Sequence, residues 1–164
     1  MKILVLSDSH GMLSFARQCI DAVRPDAVIH LGDMVQDADT LSRENPELRF
    51  YQVAGNCDSG WVSADYPEIR VENFNGIRIF MTHGHRHGVK IFLSKLISAG
   101  RDANADIVLF GHTHEAYCAW EDDGMWVMNP GSAGYGSRAG VITVNDRRDI
   151  TCRIIRTSDL VAEK

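Results

Sequence analysis

The chain has 164 residues, of which 45% are hydrophobic and 24% charged, so we expect one globular domain over residues 1–164 and no extensive disorder. Its formal net charge is −5 and it has no run of Lys or Arg, which argues against a stable nucleic acid complex. No segment approaches the ~18 apolar residues of a membrane span, so no membrane partner is expected.

Cysteine usage and the first residues indicate the compartment. The four cysteines show no C-x-x-C spacing and fall in unrelated segments, which predicts free thiols in a reducing cytosol. Residues 1–6 are a short apolar run without a cleavage site, so we interpret them as a first strand and not as a signal peptide. We therefore expect a cytoplasmic protein.

The first half of the chain alternates short apolar runs with amphipathic segments. Strands are predicted at 3–6, 28–31 and 48–53, and helices at 12–23 and, less clearly, 38–44. Such a β-α-β-α-β series is typical of parallel strands joined by right-handed crossovers.

The second half contains hairpin signals. Asn75-Gly76 lies between two apolar runs and predicts a two-residue turn. Polar segments at 121–124 and 145–149 are flanked by strand patterns in the same way. A helix is predicted at 89–99, with Ile91 and Phe92 on its apolar face.

A buried strand is predicted at 107–110, whereas 59–67 lacks periodicity and is predicted to be a loop. The expected fold is therefore α/β: a four-layer α-β-β-α sandwich, in which two mixed central sheets are flanked by helices.

Seven polar residues follow directly after predicted strands. Because strand ends form one edge of an α/β sheet, residues far apart in sequence can meet there. Carboxylates, imidazoles and one amide suit borderline divalent metals such as manganese, iron or zinc, and seven ligands are too many for one ion but suit two. The residues are Asp8, His10, Asp33, Asn56, His83, His112 and His114.

Read in order, the segments around these residues form a motif series. They are Asp8-Ser9-His10, Gly32-Asp33, Gly55-Asn56-Cys57-Asp58, His83-Gly84-His85 and Gly111-His112-Thr113-His114. This series resembles the calcineurin-like metallophosphoesterase superfamily. The short chain, the Gly-Asn-Cys-Asp variant and the later Asn129-Pro130-Gly131-Ser132 are similar to its small bacterial and archaeal phosphodiesterase branch.

The resemblance implies a dinuclear metal centre that hydrolyses phosphodiester bonds through a metal-activated hydroxide. Manganese is our first choice of metal, with iron, zinc or nickel as alternatives. Asp33 would bridge the ions, and Asn56, Asp58 and His83 are assigned to the catalytic set. The first ion would be held by Asp8, His10 and His114, and the second by Asn56, His83 and His112.

One position departs from the family pattern. Many members carry a histidine after the Gly-Asn pair, placed to protonate the leaving oxygen, whereas this chain has Cys57. Either another group assists, or the enzyme prefers leaving groups that need little protonation. The cysteine itself is interpreted as a small packing residue, with a redox-sensitive thiol as the alternative.

Other polar and aromatic residues have two interpretations each. His85, Arg86 and His87 contact a substrate or form a solvated loop, and the glycine-rich segment 129–138 closes over substrate through Arg138 or is an ordinary turn. His30 is interpreted as structural.

The three tryptophans line a base-stacking pocket or, at least for Trp120 and Trp126, serve sheet packing or an oligomer contact. The third is Trp61.

The predicted function is a metal-dependent phosphodiesterase that acts on a small phosphate ester. A non-catalytic protein-binding scaffold on the same fold is one alternative, and a polynucleotide nuclease is another. The net charge and short chain count against the nuclease. Assembly into a homo-oligomer is left open.

Overall fold

Two five-stranded sheets pack face to face in the computed structural model, which describes residues 1–58 and 65–160. The first sheet has the strand order β10-β9-β1-β2-β3; β1, β2 and β3 run parallel, and β9 joins antiparallel to β1. Its strands are β1 (Lys2–Leu6), β2 (Ala27–His30), β3 (Arg49–Gln52), β9 (Arg138–Val144) and β10 (Ile150–Arg156).

The second sheet has the order β4-β5-β6-β8-β7. Its three inner strands are parallel and its two outer strands antiparallel to their neighbours. Its strands are β4 (Ile69–Phe74), β5 (Ile77–Thr82), β6 (Ile107–Leu109), β7 (Tyr117–Trp120) and β8 (Trp126–Asn129).

Helices cover the outer faces of the two sheets. Side chains of α1 and Leu41 of α2 pack on one face of the first sheet, and Leu96 of α3 packs on one face of the second. A third apolar cluster, which includes Ile29, Ile79 and Met128, fills the space between the sheets. This arrangement confirms the four-layer prediction. The helices are α1 (Ser14–Val23), α2 (Val35–Glu44), α3 (Ser94–Asp102) and the short α4 (Thr157–Leu160).

The bounds of α1 follow from its sequence. Phe15, Cys19 and Ile20 belong to one buried stripe, which gives the helix an apolar face for the sheet. The helix ends where Arg24 adopts φ +48° and its N–H caps the carbonyl of Ile20. Pro25 follows, and a proline cannot continue a helix.

The hairpins predicted from turn signals are present. Asn75 and Gly76 have φ values of +53° and +87°, as a type I′ turn requires, and β4 pairs with β5 across them. In the β7–β8 hairpin, Trp120 lies opposite Trp126 with the rings 5.2 Å apart in an edge-on contact. Both rings therefore take part in sheet packing.

The helix predicted over 89–99 is wrong in its first half. A 3-10 turn, His85–His87, precedes a non-helical stretch, and α3 begins at Ser94. Ile91 and Phe92 are 76% and 73% exposed, so they do not form the buried face of a helix. Periodic apolar spacing indicates a helix only if those residues find a surface to cover.

Smaller boundary differences occur elsewhere. The second helix begins at Val35, three residues before the predicted start, and β3 ends at Gln52. Trp61 and most of the loop predicted at 59–67 lie outside the described residues. The four cysteines are free. Across 1–58 and 65–160, no helix has the length and apolar character needed to cross a bilayer.

The corrected start of α3 can be tested by a pair of substitutions. Leu96 is fully buried, so Leu96→Ala should lower the free energy of unfolding by about 2–5 kcal/mol. Phe92→Ala should change it by less than about 0.5 kcal/mol, since that side chain is largely exposed. Urea denaturation of both variants measures the difference, and equal losses would contradict this assignment.

Candidate metal centre

All seven predicted ligands lie in loops at one end of the two sheets. Asp8 follows β1, Asp33 follows β2, His83 follows β5 and His112 follows β6. Because these strands are parallel within each sheet, their carboxyl ends lie on the same side. The polar side chains at this end form the site described below.

A first cluster of ligand atoms is formed by Asp8, His10, Asp33 and His114, each of which offers one atom within 4.8 Å of the others. The Nε2 atom of His114 lies 3.1 Å from Oδ1 of Asp8 and 3.4 Å from Nε2 of His10. The Nε2 atom of His10 lies 3.9 Å from Oδ2 of Asp33. Two carboxylates and two imidazoles therefore face one small volume.

A second cluster adjoins the first through Asp33. The Nε2 atom of His83 lies 3.1 Å from Oδ1 of Asn56 and 3.4 Å from Oδ1 of Asp33. The ring of His112 is next to that of His83, with centroids 5.1 Å apart. Oδ2 of Asp33 is the oxygen nearer His10 and Oδ1 the one nearer His83, so one carboxylate serves both clusters.

The imidazole of His83 is held with a ring nitrogen directed into the site. Nδ1 of His83 donates to the backbone carbonyl of Leu31 at 2.7 Å, which leaves Nε2 for a ligand in the neutral ring. Burial, aided by the charges of His83 and Lys90, lowers the pKa of His112 to about 4. A neutral imidazole is the form that binds a metal.

The two buried carboxylates create an excess of negative charge. Burial opposes the charged form of His83, but its hydrogen bond to Asp33 and the charges of Asp8 and Asp33 outweigh that effect and raise its pKa. Burial likewise opposes ionisation of Asp33, but the pKa of that carboxyl is lowered by His83 and by the N–H of Cys57. The electrostatics of this arrangement therefore favour a positive charge beside the two carboxylates.

Asp8 carries the clearest sign that a cation fits. Its Oδ2 accepts hydrogen bonds from the hydroxyl of Ser7 at 2.5 Å and from the N–H of His112 at 3.1 Å. Its Oδ1 is buried and has no hydrogen-bond partner, although it points toward His114. A buried carboxylate oxygen without a partner is costly unless a charged ligand satisfies it. The donor set thus fits divalent metal ions.

The ligand loops adopt an uncommon backbone conformation. Asp8, His10, Asp33, His112 and His114 all have φ between +46° and +69°. Left-handed backbone in residues other than glycine is sparsely populated and tends to cluster at functional sites. The packing around the loops therefore holds the ligands in place.

Asp58 holds the loop that carries Asp33. Its carboxylate accepts four backbone N–H groups at 2.7–2.9 Å, from Gly55, Asp33, Met34 and Val35. Two of these belong to the start of α2, whose first residues have no side-chain cap of their own. Asp58 is buried, and both of its carboxylate oxygens accept hydrogen bonds. Although the sequence assigns Asp58 to the catalytic set, its contacts are those of a residue that positions Asp33.

A buried polar chain supports the His10 loop. The Nδ1 atom of His30 accepts from the N–H of Gly32, so its Nε2 donates to the hydroxyl of Ser9 at 3.0 Å. That hydroxyl donates to Asp37, which also accepts the N–H of Gly11. His30 is therefore satisfied by hydrogen bonds beneath the site, in agreement with its structural interpretation.

Cys57 is exposed, so its interpretation as a packing residue is wrong. Its N–H donates to Oδ1 of Asp33 at 2.9 Å, and its sulfur lies 3.5 Å from the amide of Asn56. Desolvation, followed by the hydrogen bond to Asp33 and nearby carboxylate charges, raises the pKa of Cys57 to about 11. The thiol is thus protonated at neutral pH and a poor nucleophile.

The three residues after His83 separate in the structure. The ring of His85 lies 5.6 Å from that of His83 and 6.1 Å from that of His112, so it adjoins the site. Arg86 pairs with Glu68 on the surface, and His87 packs edge-on against a core phenylalanine.

Tyr135 is a residue that the motif analysis did not identify. Its ring is 71% exposed, yet it stacks on His114 with centroids 6.0 Å apart and lies 5.3 Å from His10. Its N–H donates to Ser132, whose hydroxyl bonds the carbonyl of Asp8. The only sequence signal was one aromatic residue in a segment rich in glycine and serine.

The different roles of Asp58 and Asn56 can be separated by substitution. Asp58→Asn leaves buried N–H groups without acceptors, so it should lower the free energy of unfolding by about 2–3 kcal/mol. Asn56→Ala changes an exposed side chain, so stability should stay within about 0.5 kcal/mol, while the affinity of one metal ion falls about tenfold or more.

Urea denaturation and metal titration of both variants provide the two measurements. If Asn56→Ala still holds two ions per chain with unchanged affinity, the assignment of Asn56 as a ligand is wrong.

Comparisons with known proteins agree with this site. The chain matches the model of the calcineurin-like phosphoesterase superfamily domain over residues 1–146. It is 31% identical over 158 residues to a phosphodiesterase of Methanocaldococcus jannaschii, covering 88% of this chain and 90% of that protein. It is 32% identical over 135 residues to the probable metallophosphoesterase YsnB of Bacillus subtilis, covering 80% and 75% of the two chains.

A solved structure has the same fold along most of its length. The predicted phosphoesterase from Streptococcus pneumoniae superposes with a TM-score of 0.73 at 25% identity, covering 94% of this chain and 96% of that one. Together with the match over residues 1–146, these likenesses establish that the chain belongs to the calcineurin-like phosphoesterase superfamily.

Proposed function

We propose that this member of the superfamily is a phosphodiesterase that uses two divalent metal ions. The observation that carries the proposal is Asp33, whose two oxygens face two separate clusters of ligands. The Oδ1 atom of Asp8 supports it, because this buried carboxylate oxygen accepts no hydrogen bond and a cation between it and His114 would satisfy it. Similarity to an archaeal phosphodiesterase supports the choice of a diester substrate.

Each ligand would have a definite task. Asp8, His10 and His114 would hold one ion, Asn56, His83 and His112 the other, and Asp33 would be shared. Ions bound there would lower the pKa of a water molecule for attack on phosphorus and neutralise charge on the phosphoryl oxygens. The protein's contribution is to keep these ligands fixed, through the hydrogen bond of His83 to Leu31 and the four that Asp58 accepts.

The leaving group receives little help from Cys57. A thiol, with an ordinary pKa of about 8.5, transfers a proton less readily at neutral pH than an imidazole would. The preferred substrates are then esters whose alcohol is acidic enough to depart without a proton. This accounts for the cysteine at a position where many superfamily members have histidine.

Manganese and a cytosolic location belong to the same proposal. Mixed oxygen and nitrogen ligands suit manganese, and four free cysteines suit a reducing compartment. A protein-binding scaffold would have no need of ligands, whereas all seven positions here keep ligand-forming side chains.

The metal requirement is tested with bis(p-nitrophenyl) phosphate. Protein treated with a chelator should lose hydrolysis, and Mn²⁺ should restore it because the ligand set then holds its ions again. The monoester p-nitrophenyl phosphate, assayed in parallel, should react more slowly if the diester is preferred. Activity that ignores the chelator, or none with any divalent metal, would contradict the proposal.

The role of the residue at 57 is tested by restoring the histidine. Cys57→His should raise the rate for a diester of an aliphatic alcohol by about tenfold or more, because a general acid becomes available. The rate for the nitrophenyl diester should change much less, since nitrophenolate departs unaided. Cys57→Ser is the matched control, and an equal gain on both esters would argue against leaving-group protonation.

A further inference from the structure

A groove of about 460 Å³ lies beside the metal centre, within the ~300–1,000 Å³ usual for small-molecule sites. One wall comes from the stretch before α3 and the other from the connection between β6 and β7. Five of the eight lining residues are apolar or aromatic: Val89, Leu93, Phe110, Ala116 and Tyr117.

The groove borders the His112–His114 segment of the candidate site. Thr113, which lines it, lies between the ligands His112 and His114 in sequence. Its hydroxyl accepts from the amide of Asn129 at 3.0 Å and from the N–H of Glu115 at 3.2 Å. The boundary between groove and site is therefore held in place by hydrogen bonds.

The lining defines the chemistry of an occupant. The exposed ring of Tyr117 lies 6.2 Å from that of the buried Phe110 and offers an aromatic wall. Lys90 and Glu115 supply one charge of each sign, so the groove as a whole favours neither anions nor cations. A neutral apolar or aromatic group suits it best.

We infer that this groove binds one ester group of the substrate and selects an aromatic or similarly apolar one. The inference rests on the proposed function: with phosphate at the metal centre, an ester group needs a place beside it, and the groove borders the His112–His114 segment. Val89, Leu93, Ala116 and Tyr117 are then specificity residues for the reaction.

Two non-hydrolysable ligands test the inference without turnover. In benzylphosphonate and ethylphosphonate a CH₂ stands in for the ester oxygen of phenyl and methyl phosphate. Calorimetric titration of the Mn²⁺-loaded protein should give about tenfold or more tighter binding of benzylphosphonate, because its ring loses contact with water in the groove. Equal affinities, or no binding of either compound, would overturn the inference.

Two variants locate the binding. Ala116→Leu fills the groove and Tyr117→Ala removes its exposed aromatic wall, so each should reduce the benzyl-to-ethyl affinity ratio severalfold. Ile91→Ser alters an exposed apolar residue nearby in sequence that does not line the groove and should keep the ratio. Circular dichroism checks that each variant folds. If Ala116→Leu fails to fold, the benzyl-to-ethyl affinity ratio of Tyr117→Ala tests the inference by itself.

Other outcomes are distinguishable. A preserved ratio in both folded variants would place the ring elsewhere, and a change of oligomeric state on gel filtration would make the groove a contact between copies; each overturns the inference. Selective benzylphosphonate binding without hydrolysis of any diester would contradict the proposed function alone. Diester hydrolysis with equal phosphonate affinities would contradict the groove alone.

Discussion

The burial of two carboxylates next to one another is the constraint on which the rest of this site depends. Asp8 and Asp33 are almost inaccessible to solvent, and charges in such surroundings are costly unless cations or hydrogen bonds compensate them. The protein supplies backbone N–H groups and imidazoles on most sides, but one oxygen of Asp8 accepts no hydrogen bond. A bound cation would compensate the charge that remains there.

Support for the site comes largely from residues that do not face it. The carboxylate of Asp58 accepts hydrogen bonds from the start of α2 and from the loops around Asp33 and Gly55. The backbone at Gly55 lies so close to Asp33 that a Cβ added at Gly55 would collide with the Asp33 side chain. The candidate metal ligands are therefore held in place by close packing of the backbone beneath them.

The parts of the fold that depend on local sequence were predictable. Asn75-Gly76 specifies its hairpin by its own backbone preferences. The buried strand β2 follows from a short apolar run. Ile91 and Phe92 were misassigned because spacing alone does not show whether an apolar side chain finds a partner. Tyr135 and the groove were missed since they arise from loops brought together by the two sheets, and the exposure of Cys57 depends equally on that assembly.

The left-handed backbone of the ligand loops has a consequence for how the site can change over evolution. Among residues other than glycine, Asp, Asn and His adopt this conformation most readily, and those three types are also the ones that offer oxygen or nitrogen to a metal. At Asp8, His10, Asp33, His112 and His114 the same side chains thus suit both the turn and the proposed ions. Most replacements would lose both the left-handed backbone conformation and the metal-binding atom. We therefore expect evolutionary loss of the metal to proceed through asparagine or glycine, which preserve the loop conformation.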